Sequence, residues 1–172
     1  MTLKALLQCA VSVLILTSVL GAAQRRPDLS GDWVLVRATT AAATASSASV
    51  EIPTAANTFS GAAFNCGRQC TIVHKGMTLT IIRALLSEES TPASTVALQI
   101  SGRPLSIVDS FSPERKLSAT AKWSDARLEI TSVSGPLTVS QSITIEAEEL
   151  VVVTSMRQPS RQPVTFRYKR AG

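Results

Sequence analysis

The chain has 172 residues, with 17 Lys and Arg against 12 Asp and Glu and a formal net charge of +5. That length suits one domain with a core of its own, and the basic balance favours loose attraction to anionic surfaces without specifying one. Aromatic residues make up only 4%, so no stacking platform accompanies the basic side chains, which argues against nucleic-acid binding.

The first segment reads as an export signal. Lys4 supplies the positive region, residues 5–23 the apolar run, and Gly21 and Ala23 the small residues at which cleavage after Ala23 is expected. The rival is an uncleaved anchor, because about 20 apolar residues would span a bilayer; Gln8, Ser12, Thr17 and Ser18 dilute the run. Cleavage removes Lys4 and no acid, leaving 16 basic and 12 acidic side chains. No later segment is long or apolar enough to cross a membrane, so the expected product is a single domain over 24–172, periplasmic or secreted. Its two cysteines, Cys66 and Cys70, are an even count in an exported chain and read as one disulfide.

A polar lead-in, "QRRPDLS", precedes a first strand over 32–37. Residues 39–63 are dominated by Ala, Ser and Thr with few large side chains, too little apolar surface to offset the entropy of ordering them, and read as a long irregular crossing loop. From Gln69 onward short alternating runs are separated by turn residues. "CTIVH" and "TLTIIRA" flank Lys75, Gly76 and Met77; "STVALQI" leads to "SGRP". "KLSATAKW" sets Leu117, Ala119, Ala121 and Trp123 on one face, "RLEITSV" alternates Leu128 and Ile130 against charge, and "PLTVSQSITI" aligns Leu137, Val139, Ile143 and Ile145. "LVVVTSMR" and "VTFRYKR" follow, the last with Val164, Phe166 and Tyr168 in phase.

Period-two alternation with short connections is the pattern of an antiparallel meander. The chain therefore reads as all-β, with eight clear strands and one or two short extras near "LSIVD", eight to ten in total. Closing such a meander into a barrel removes exposed edges, and about eight strands leave an interior just wide enough for side chains or one small ligand. A barrel is the expected fold and a β-sandwich the alternative.

Catalytic signals are few. His74 is the single histidine, and there is no Gly-x-Ser-x-Gly, His-Glu-x-x-His or glycine-rich phosphate loop. The pairs Glu88–Glu89 and Glu148–Glu149 fall in expected turns as solvated charge, so the chain is read as a non-enzyme without a cofactor. Cys66, Cys70 and His74, spaced four apart, are good ligands for copper or zinc. Export to an oxidising compartment, the closeness of the two thiols and the want of a fourth ligand favour a disulfide with an incidental histidine over a metal site.

Gly31-Asp32-Trp33 opens the first strand, and Arg167 and Arg170 lie in the last. Here the chain resembles the lipocalin and wider calycin barrels, which begin with Gly-x-Trp. It is similar more broadly to small exported bacterial proteins described as lipocalin-like, sharing a "Leu-Ser-Gly-x-Trp" start and a "Trp-x-x-x-x-Leu-x-Ile" middle. The resemblance, over about 29–170, implies an arginine packed across the Trp33 indole to help close the barrel. Arg170 is favoured because it shares a face with Phe166 and Tyr168; Arg167 is the other candidate. A cation–π contact of this kind contributes roughly 0.5–2 kcal/mol.

The resemblance also implies that a small hydrophobic ligand is held in the interior, lined by Trp33, Leu35, Leu79, Ile81, Val96, Leu98, Trp123, Leu128, Phe166 and Tyr168. The same residues could instead fill a solid core. The chain would then be an envelope interaction protein working through its basic surface or its Ala/Ser/Thr loop; metal handling through Cys66, Cys70 and His74 is the third reading. A continuous void of roughly 300 Å³ or more favours a ligand, and a packed interior favours a surface role.

Overall fold

In the computed structural model, residues 26–40, 61–83, 94–108, 116–157 and 161–172 are described; the expected export signal and residues 41–60 of the expected loop lie outside them. Ten strands follow in order: β1 (Gly31–Thr40), β2 (Gln69–Lys75), β3 (Thr78–Arg83), β4 (Ser94–Gln99), β5 (Pro104–Val108), β6 (Lys116–Ser124), β7 (Arg127–Ser134), β8 (Leu137–Glu146), β9 (Glu149–Met156) and β10 (Arg161–Arg170). Every adjacent pair is antiparallel, and the sheet order β4-β3-β2-β1-β10-β9-β8-β7-β6-β5 brings the first strand against the last. The fold is the expected all-β barrel, with the short run near "LSIVD" forming β5. It is nearly closed: β4 and β5 are the two ends of the ladder. Residues 100–102 bridge that seam, Ile100 N donating to Met77 O (2.7 Å) and Gly102 N to Ala121 O (2.9 Å).

Two ends follow from the alternation. One holds the turns after β2, β6 and β8, together with the start of β1 and the end of β10. Tight connections suit it: Ala147 and Glu148 both adopt left-handed φ (47° and 68°), the primed-turn backbone that matches strand twist. The other end receives the chain from 61 to 68, entering from the crossing between β1 and β2.

β1 runs three residues past the strand expected from the sequence. A bulge between Leu35 and Arg37 resets the phase, so that Trp33, Leu35 and then Ala38 face inward while Val36 and Arg37 both stay outside. Without that extra residue the alternation would carry the Arg37 guanidinium into the core, an unpaired buried charge. The core is continuous from the Trp33 end upward. Trp33, Leu29, Leu79, Leu98, Leu128, Ile143 and Leu150 are fully buried there, and at roughly 1.5–3 kcal/mol for each large side chain this packing holds the barrel shut.

Candidate functional site

Trp33 and its surroundings close one end. Its indole is wholly buried, Nε1 donates to Leu29 O (3.0 Å), and the Arg170 guanidinium carbon lies 4.7 Å from the ring centroid. Arg170 Nη1 also donates to Ser30 O (2.8 Å), and the strand pairing sets Trp33 opposite Arg170. Gly31 makes room for this. Its φ is +142°, and a Cβ there would lie 2.5 Å from Arg170 Nη1. Arg167, the other candidate for closure, points outward instead and bridges Glu146 (3.1 Å) and Glu149 (3.3 Å). An odd number of residues from Arg170, it belongs to the opposite face of β10.

His74 sits beside this closed end. Its ring is tilted against Trp123 with centroids 5.8 Å apart, Nδ1 is 3.8 Å from Asp28 Oδ1, and Nε2 is buried without a hydrogen-bond partner. Asp28 is held below its ordinary value first by the hydrogen bond from the Ser30 amide, with His74 and Arg170 adding to it. Cys66 and Cys70 form a disulfide, which commits both sulfurs to each other. No group of three or more potential metal ligands occurs among the described residues.

The opposite end is built differently. Residues 61–68 enter the barrel as irregular chain and are held by polar side chains on its inner wall. Phe64 N donates to Gln141 Oε1 (2.9 Å) and Gln141 Nε2 donates back to Phe64 O (2.8 Å). The same Nε2 donates to Thr154 Oγ1 (3.2 Å), and Ala63 N donates to Ser132 Oγ (3.2 Å). Ser132, Gln141 and Thr154, from β7, β8 and β9, are all buried and all occupy inward positions in otherwise apolar rows. The disulfide ties the outgoing end of the segment to the head of β2, and Leu35 N donates to Arg68 O (2.8 Å).

A cavity of about 20 Å³ lies under this segment, lined by Phe64, Asn65, Cys66, Gly67, Gln141, Val152, Thr154, Phe166 and Tyr168. Space of that size holds a water molecule or two, far below a ligand pocket of roughly 300 Å³. Burial pushes the Tyr168 phenol well above its ordinary value.

Of the ten residues expected to line a cavity, Phe166 and Tyr168 do so. Trp33, Leu79, Ile81, Leu98 and Leu128 are instead buried in the packed core, and Leu35, Val96 and Trp123 pack against it half-buried. The physical reason is side-chain size: the large residues cluster toward the closed end and fill it. The cavity under residues 61–67 lies where the wall carries Gln141, Thr154 and Val152. The sequence did hold a signal for the missed residues, since Gln141 sits in phase between Val139 and Ile143, and Ser132 in phase after Leu128 and Ile130.

No family model matches this chain, and no curated protein matches it. Solved structures match its shape. Human cRBP IV is 18% identical with a TM-score of 0.54, covering 84% of this chain and 99% of that one. A fatty acid binding protein of Schistosoma mansoni in complex with arachidonic acid is 16% identical with a TM-score of 0.53, covering 83% and 95%. Zebrafish ileal bile acid-binding protein complexed with cholic acid is 15% identical with a TM-score of 0.55, covering 83% and 98%. The chain therefore shares the barrel fold of these three proteins.

Proposed function

We propose that this protein is an exported, non-enzymatic barrel that takes up a small apolar molecule at the end occupied by residues 61–67. The observation that carries the reading is what fills that end: an irregular segment, not side chains of the strands. Strand residues leave a lined space there, and the segment occupies it through a few hydrogen bonds, each contributing on the order of 1 kcal/mol net. Such a segment can be exchanged for a ligand at modest cost, whereas the packed closed end cannot. The reading is supported by similar structures in complex with arachidonic acid and with cholic acid. Export is supported by the Lys4-led apolar run and by the disulfide.

A second reading is favoured by the cavity itself. At about 20 Å³ the interior is packed as it stands, which suits a solid scaffold that meets an envelope partner through its basic surface. Titration with the neutral fluorophore Nile red separates the two. The wild type should bind it, and Phe64→Ala should bind it several-fold more tightly, because less apolar surface must be expelled from the interior. No binding by either protein overturns the proposal and leaves the scaffold, for which a salt-sensitive pull-down from envelope extract is the next measurement.

A further inference from the structure

Gln141 pairs with the Phe64 backbone at two points. Gln141 is buried inside an apolar barrel, and its carboxamide uses both ends at once: Oε1 accepts from Phe64 N (2.9 Å) and Nε2 donates to Phe64 O (2.8 Å). Thr154 Oγ1 accepts the second Nε2 hydrogen (3.2 Å), and the Phe64 N–H, a donor only, and C=O, an acceptor only, fix which end of the amide faces which. The wall thus presents one acceptor and one donor side by side, in a fixed order, satisfied by an N–H and a C=O of the chain's own backbone.

We propose that residues 63–65 occupy this position as an internal stand-in for the ligand, and that the ligand is an apolar molecule bearing a neutral carboxamide head. This rests on the binding reading above and narrows it. A primary carboxamide carries a C=O and an N–H on the same edge, so it can make both of the bonds that Phe64 makes to Gln141. An alcohol satisfies the site less well, because a single oxygen must serve as both donor and acceptor. A carboxylate offers acceptors only: one oxygen can take the Nε2 hydrogen, but the other then faces the Oε1 lone pairs.

The electrostatics point the same way. The cavity is lined by Phe64, Asn65, Cys66, Gly67, Gln141, Val152, Thr154, Phe166 and Tyr168, with no Lys or Arg among them. Arg83 packs its aliphatic stem near Gly67, and Arg167 and Arg170 are engaged with Glu146, Glu149, Ser30 and Trp33. Among the lining residues themselves an ionised carboxylate would lose hydration without gaining a paired charge.

The test is competition for Nile red on the purified full chain at pH 7.5 by three ligands of one tail length: dodecanamide, dodecan-1-ol and dodecanoate. The amide is expected to displace the dye at a concentration at least about tenfold lower than dodecanoate, the alcohol falling between, as a difference of one paired against one unpaired polar group implies. Gln141→Leu should bring the three ligands within about threefold of each other, read as the ratio of their displacement midpoints on that variant whatever its own affinity for the dye. Should Gln141→Leu fail to fold, Gln141→Met, closer in length and likewise without the amide's donor and acceptor, is expected to narrow the same preference. Dodecanoate binding as tightly as the amide, or a preference unchanged in the variants, overturns the carboxamide assignment and leaves the binding barrel standing. A protein that binds neither dye nor any of the three ligands overturns both.

Discussion

Gly31→Ala is the sharpest probe of how the barrel is shut. Alanine at this position must hold φ near +142°, a region that an L side chain occupies at a cost of about 1–3 kcal/mol. Its Cβ would also lie 2.5 Å from Arg170 Nη1 and 3.4 Å from Arg170 Cζ. The guanidinium is the far end of an exposed, flexible side chain, so it can swing aside. Doing so forfeits the contact with Trp33 and the bond to Ser30 O, together about 1 kcal/mol at a solvent-exposed site. The expected total is roughly 2–4 kcal/mol, read as a shift in urea midpoint at constant slope. A double-mutant cycle divides it. In an Arg170→Ala background nothing remains to displace, so Gly31→Ala should cost only the backbone part, giving a coupling of about 1 kcal/mol. A cost under about 0.5 kcal/mol, or strict additivity with Arg170→Ala, would refute the claim that Gly31 is there to admit Arg170.

Three further outcomes follow from the same geometry. Replacing Cys66 and Cys70 together with Ser should lower stability by about 2 kcal/mol, the entropy of so short a closed loop, and should raise proteolysis within 61–68 before any strand is cut. Tyr168 has its phenol pKa raised by burial above the ordinary 10.0; the folded state favours the neutral form, so stability is full below pH 10 and falls as pH climbs beyond it. Tyr168→Phe should flatten that alkaline limb in urea titrations from pH 8 to 11, and an unchanged slope would contradict the burial argument. Arg167→Ala, on the outer face with Glu146 and Glu149, should cost under about 1 kcal/mol and leave Trp33 fluorescence unaltered.

The barrel was legible because its strands obey one rule. Leu117, Ala119, Ala121 and Trp123 alternate strictly with polar residues, and turns such as Asp125–Ala126 fall between such runs. Closure was readable from Gly31-Asp32-Trp33 and the phase of Arg170 with Tyr168. Where the rule breaks, the sequence misleads. The bulge after Leu35 flips the phase, so that Thr39 and Thr40 look like loop although they continue β1. Phe64, in an Ala- and Ser-rich setting, carries no periodic signal at all, and its place in the core depends on partners 77 residues away. Gln141, Ser132 and Thr154 were visible as polar residues in apolar phase, but alternation reports which face a residue lies on and not what it will meet there.

Amide hydrogen exchange at Phe64 tests the central claim most directly, because its N–H is held by Gln141 Oε1. Saturating the protein with an apolar ligand that occupies the interior should accelerate exchange at Ala63 and Phe64 by about tenfold or more, while amides of β7 to β9 stay protected. Unchanged protection at Phe64 with the ligand bound would mean that these residues are permanent core, and that the interior of this barrel is not a binding site.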